Sequence, residues 1–149
     1  MSSPESLFKL ANTLVMPFWL LLAVIPKQRW TILIVRSGGA SCLFAAFYIL
    51  CLAKAPSGFQ WESFSTLGGL RQAFADDWLF LAGWIHYLAF DLYVGAKITK
   101  EHSAMGSSHI SLLLKLFFTM MLGPVGLLIH KTHVWARTLF PRSTEGLQA

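Results

Sequence analysis

Four stretches of this chain, residues 8–25, 32–53, 78–97 and 110–130, are apolar over nearly their whole length. A bilayer has a hydrocarbon core of roughly 30 Å, and a helix rising about 1.5 Å per residue crosses it in about 20 residues. A backbone in lipid finds no water to satisfy its N–H and C=O groups, so the spanning structures are helices or closed barrels. Runs this long, without period-two alternation, predict helices. The expected fold is therefore all-α: one polytopic membrane domain over residues 1–149, a bundle of four transmembrane helices. A short interfacial helix is expected in the second connection, around residues 64–74. The chain is 55% hydrophobic and 13% charged, against about 25% charged in an ordinary soluble domain. A small soluble core could not hide that much apolar surface.

The formal net charge is +5. The Lys and Arg residues lie mostly at the ends of apolar runs, a pattern that snorkelling and anionic headgroups explain without nucleic acid. Cys42 and Cys51 share one run about 13 Å apart along its axis, too far for a disulfide within that helix. The N-terminus lacks the basic start of a signal peptide and the long Ser/Arg-rich stretch of a transit peptide, so the first run is read as a retained helix. Pro17 should kink it. Asp76-Asp77 precedes the third run, where negative charge suits a helix N-terminus. Four crossings would put both termini on one side. That side would carry Lys9, Lys54, Arg71, Lys131, Arg137 and Arg142, and the other side Lys27, Arg29, Arg36, Lys97 and Lys100. Six against five sets no orientation by the positive-inside rule.

Ionisable groups inside the membrane are costly and usually face the bundle interior. Asp91 should lie ~9 Å and Lys115 ~8 Å inside the same surface, with Arg36 at similar or shallower depth. An ion pair of Asp91 with Lys115 or Arg36 would relieve the burial cost, and all three are candidate ligand contacts. His86 falls near the midplane, about 140° round the helix from Asp91. Trp84, Tyr87 and Asp91 share one face, and His86 shares another with Phe90 and Tyr93. Asn12 reaches a depth comparable to Gly123-Pro124-Val125-Gly126, where the fourth run is weakened into either a kink or a binding notch. Phosphate loops, HExxH and GxSxG are absent from the sequence. His130 and His133 have no carboxylate or cysteine near them in sequence, and no metal site is assigned.

The third run reads Ala82-Gly83-Trp84-Ile85-His86-Tyr87-Leu88-Ala89-Phe90-Asp91-Leu92-Tyr93-Val94-Gly95. This closely resembles the signature of the neoxanthin-synthase-like family, membrane proteins related to the plant abscisic-acid-deficient carotenoid factor. Met16-Pro17-Phe18-Trp19-Leu20-Leu21, Val35-Arg36-Ser37-Gly38 and Leu122-Gly123-Pro124-Val125-Gly126-Leu127-Leu128 are similar to the same family, so the resemblance covers all four runs. It implies a role in carotenoid metabolism, with an epoxycarotenoid isomerase of the violaxanthin-to-neoxanthin type as one reading. Opening an epoxide to an allene needs one group to protonate oxygen and one to take a proton from the polyene. His86 and Asp91 are the catalytic candidates. Trp84, Tyr87, Phe90 and Tyr93 would line a groove for the pigment, with Arg36, Lys115 and Asn12 as further binding residues. No redox cofactor is required, and the expected ligands are carotenoid and membrane lipid. The alternative is a non-catalytic carotenoid- or lipid-binding small subunit of a larger photosynthetic membrane complex. The implied location is a bacterial inner or photosynthetic membrane, or a plastid membrane.

Overall fold

The computed structural model describes residues 3–56 and 60–140. Ser57 and Gly58 of the long connection, and Pro141 and Arg142 of the tail, lie outside them. Helix α1 spans Pro4–Val24. The Ser3 hydroxyl accepts from the Ser6 N–H at 3.2 Å, and Pro4 occupies the first turn, where its missing N–H costs nothing. The helix runs on through Pro17. Short helix α2, Arg29–Thr31, leads through a π-helical stretch, Ile32–Arg36, into α3, Gly39–Lys54.

The long connection holds a 3-10 turn, Trp61–Phe64, and helix α4, Leu67–Ala73. Thr66 caps α4 by accepting from Gly69 N–H at 3.0 Å. None of its residues is buried. Helix α5 spans Asp77–Ala104. Asp76 caps it, accepting from the N–H groups of Trp78 and Leu79 at 2.8 and 3.1 Å. Among the described residues, three segments are long and apolar enough to cross a membrane: α1, Arg29–Lys54 and α5. No described residue is in a strand.

The core forms around α5, which packs against α1, α3, α6 (His109–Leu122) and α7 (Pro124–Leu139). α1 turns a stripe of Leu7, Ala11, Val15, Trp19 and Leu22 inward, at the spacing one helix face allows. Its opposite side leaves Leu10, Leu20 and Val24 exposed, as α3 leaves Ile49 and α5 leaves Phe90. Apolar residues in this density on outward faces suit lipid rather than water.

The fourth apolar run departs from expectation. It does not form one helix but breaks at Gly123 into α6 and α7. Gly123 has φ +34°, a region that side chains with a Cβ rarely adopt, and Pro124 then starts the next helix. α6 is ~21 Å long, short of the hydrocarbon core. α7 folds back alongside it. Gly126 packs directly on Thr119 of α6, with no room for a Cβ. Further along α7, Nε2 of His130 and Nζ of Lys131 both donate to Glu101 Oε2 at 2.9 Å. At its far end Arg137 Nη1 donates to Met105 O and Ser107 Oγ at 2.9 and 2.8 Å. The run is thus a helical hairpin that enters and leaves at the α5–α6 connection.

Its tip reaches Asp91: a Cβ on Gly123 would lie 2.5 Å from Asp91 Oδ1. That is about 20 Å along α5 from its C-terminal end. The last described residues therefore emerge opposite the N-terminus, not beside it.

Glu101 holds this hairpin to α5. Glu101→Ala leaves His130, which is 1% exposed, without a partner. The expected cost is about 1–3 kcal/mol, seen as a lower Tm in detergent and faster proteolysis of α7. An unchanged Tm would count against the latch.

Candidate functional site

Because the hairpin turns back at Gly123, the space beside α1 and the first half of α5 is left unfilled. A cleft of about 670 Å³ occupies it. Asn12, Met16 and Trp19 come from α1, Phe80, Trp84 and Tyr87 from α5, and Phe74 from the end of the long connection. Met120 and Met121, just before the hairpin turn, form the floor with Asp91. The lining is almost wholly apolar, so its few polar groups are conspicuous in chemistry.

Asp91 is 8% exposed, and its buried Oδ2 has no hydrogen-bond partner among the described residues. Unpartnered carboxylate oxygens are expensive in apolar surroundings, and such groups concentrate where chemistry or binding occurs. The Tyr87 hydroxyl lies beside the carboxyl, one turn earlier on the same face. It also donates to Met121 O at 3.4 Å, tying it to the hairpin floor. Trp84 stacks on Tyr87 with centroids 5.9 Å apart and donates from Nε1 to Asn12 Oδ1 at 3.1 Å. Asn12 is fixed in turn by donating to Phe8 O at 2.9 Å. These contacts set the orientation of the cleft wall.

Of the residues singled out from sequence, Asn12, Trp84, Tyr87 and Asp91 meet in this cleft. His86 and Phe90 do not. They stack on each other at 4.6 Å on the opposite face of α5, and His86 also lies 5.7 Å from the Tyr48 ring of α3. Tyr93 and Arg36 line a separate recess near the α5 C-terminus.

The expected cluster of Arg36, Asp91 and Lys115 does not form. Lys115 is 2% exposed and sits 3.3 Å from His102 Nδ1. Arg36 donates to Pro26 O at 3.2 Å, and Asp91 makes no ion pair among the described residues. Depth separates them: α5 continues past Lys97 to Ala104, so Asp91 sits about 20 Å from its end at the level of Gly123, whereas Lys115 meets His102 and Arg36 borders Lys97 and Lys100. The sequence reading also missed Glu101 as the carboxylate of His130, because its partner lies on another helix. The methionines of the floor carried no distinguishing signal beyond preceding Gly123-Pro124.

Residues 6–130 match the family model described as ABA DEFICIENT 4-like. The chain belongs to that family. The match contains every cleft residue and the hairpin tip, so the site lies within the family domain rather than on an appendage. No curated protein and no solved structure matches the chain. In this ABA DEFICIENT 4-like protein, Asn12, Trp84, Tyr87 and Asp91 are the polar groups of that cleft.

Proposed function

We propose that this protein is a carotenoid-related membrane enzyme that isomerises an epoxycarotenoid in the Asp91 cleft. Family membership supports the carotenoid link. The observation that carries the chemistry is a buried carboxyl with an unpartnered Oδ2, beside a phenol, at the floor of an apolar cleft. In an epoxide-to-allene isomerisation the polyene loses one proton, the C–O bond at the ring carbon nearer the polyene breaks, and the oxygen gains one proton. Nothing is oxidised or reduced, so a neighbouring acid and base suffice. The Asp91 carboxyl and Tyr87 hydroxyl supply two exchangeable positions side by side. Tyr87, rather than His86, is the partner of Asp91 on this reading.

The cleft extends ~16 Å along α5 from Phe80 to Asp91, enough for one ring and the adjoining polyene of a ~30 Å pigment. Trp84, Phe80 and the methionines supply apolar, polarisable walls. The test is pigment analysis after expression in a violaxanthin-accumulating host. Neoxanthin should appear with the wild-type chain and not with an empty vector. Unchanged violaxanthin that copurifies with well-expressed protein would identify the non-catalytic carotenoid-binding alternative. Unchanged pigment with none bound would remove both.

The proposed membrane arrangement has three crossings and one re-entrant hairpin, with α4 lying at the interface. Among the described residues, Lys9, Lys54 and Arg71 then fall on the N-terminal side. Lys27, Arg29, Arg36, Lys97, Lys100, Lys131 and Arg137 fall on the other. Seven against three is a clear bias, and the positive-inside rule then favours the α5–α6 connection and the end of α7 inside. Single-cysteine labelling of intact cells or vesicles should find position 3 accessible from outside and position 138 only after permeabilisation. Both positions on one side would overturn this topology.

A further inference from the structure

The geometry points to a second binding site, for an anionic phospholipid, on the face of α5 turned away from the cleft. The residues His86, Phe90, Tyr93, Lys97 and Lys100 follow one another at intervals of three and four along α5, so they form one stripe. Every one of them is exposed. The stripe changes character along its length. Lys97 and Lys100 stand near the α5 C-terminus, Tyr93 lies one turn deeper, and Phe90 and His86 lie deeper still. An amphiphile has the same sequence of properties, from charged headgroup through glycerol to acyl chain.

At the charged end the stripe meets Arg36 and Ser37 across a recess of about 440 Å³. Arg36, Lys97 and Lys100 make no ion pair among the described residues. The Arg36 Nε is buried and has no hydrogen-bond partner there, although Nη1 is held by Pro26 O. Three cations bordering one recess favour a phosphate group. Glu101 also borders the recess, but its Oε2 already accepts from His130 and Lys131. Solvated lysines alone would explain Lys97 and Lys100 by snorkelling. They would not explain the Arg36 guanidinium at the same recess or the aromatic continuation. Phe90 and Tyr93 are 58% and 53% exposed, and their ring faces are available to an acyl chain. A free phosphate would use the recess and be indifferent to the rings, whereas a phospholipid uses both.

The test is delipidated protein in mild detergent, probed by native mass spectrometry and thermal shift. Phosphatidylglycerol should bind and raise the Tm, while phosphatidylcholine should do so at least tenfold more weakly. The Lys97→Gln/Lys100→Gln double variant changes only exposed side chains, so it should fold and weaken phosphatidylglycerol binding at least tenfold. Phe90→Ala/Tyr93→Ala should weaken it too, without creating a preference for phosphatidylcholine. Equal binding of the two lipids, or equal binding by wild type and the lysine variant, would overturn the site. Protection by inorganic phosphate equal to that by phosphatidylglycerol, and unaffected by Phe90→Ala/Tyr93→Ala, would replace the lipid with free phosphate. Neither result bears on turnover in the Asp91 cleft.

Discussion

Asp91→Asn is expected to fold, to keep pigment in the cleft and to lose product formation by about 10²–10⁴-fold, the range for removing a general acid–base group. The amide nearly matches the carboxyl in shape and still offers a hydrogen-bonding atom to Tyr87. It removes a costly buried carboxyl, so stability should hold or rise. It cannot accept a proton from a polyene carbon. Quantifying neoxanthin per unit of folded protein in the violaxanthin host separates the two effects. His86→Phe serves as the contrast. His86 lies on the opposite face, stacked on Phe90, and its loss should leave most of the product. Full product from Asp91→Asn would sink the catalytic assignment, and loss of folded protein instead of activity would make Asp91 structural.

Gly126→Val is the second large effect, and it acts on the fold. A Cβ at Gly126 would lie 2.6 Å from Thr119 Cα and collide with the Thr119 backbone nitrogen and Oγ1. Thr119 is fully buried and held by its own hydrogen bond to Lys115 O at 2.7 Å. Overpacking usually costs about 1–3 kcal/mol when a side chain can yield. Here the obstacle is backbone, so the two arms of the hairpin must separate, and the cost should reach or exceed the top of that range. Helices in membranes depend on small residues for such close approach. The expected outcome is a large loss of monodisperse protein in detergent, with Gly126→Ala milder in the same direction. Wild-type yield and Tm for Gly126→Val would mean that α6 and α7 do not pack face to face.

How far the chain could be read without its structure differs by element. The first three apolar segments declare themselves, because length and apolar content suffice to make a helix of membrane dimensions. One helix start was also visible: the negative charge of Asp76-Asp77 suits a helix N-terminus, and Asp76 accepts from Trp78 and Leu79. Trp84, Tyr87 and Asp91 share a face by helical period alone, and that face lines the cleft. The period likewise sets His86 apart from Asp91, although the resemblance puts both forward as catalytic candidates.

The hairpin could not be read that way. Leu122-Gly123-Pro124 is as compatible with a kinked helix as with a reversal, because a membrane helix tolerates both residues. The choice lies in contacts between distant parts of the chain: Gly126 on Thr119, Glu101 with His130 and Lys131, Arg137 on Met105. That one choice moved the end of α7 to the opposite side and turned an even charge count into a bias. It also opened the cleft, since α7 turns back instead of filling the space beside α1 and the first half of α5. Counting residues back from Lys97 puts Arg36, Asp91 and Lys115 at one level, but α5 runs on to Ala104, so Asp91 lies deeper than the other two. Their partners depend on helix rotation and packing, and those gave each a different neighbour. Apolar content and periodicity are local properties and dictated helices, lengths and faces; the reversal at Gly123 and the site it creates are set by tertiary contacts that no local pattern encodes.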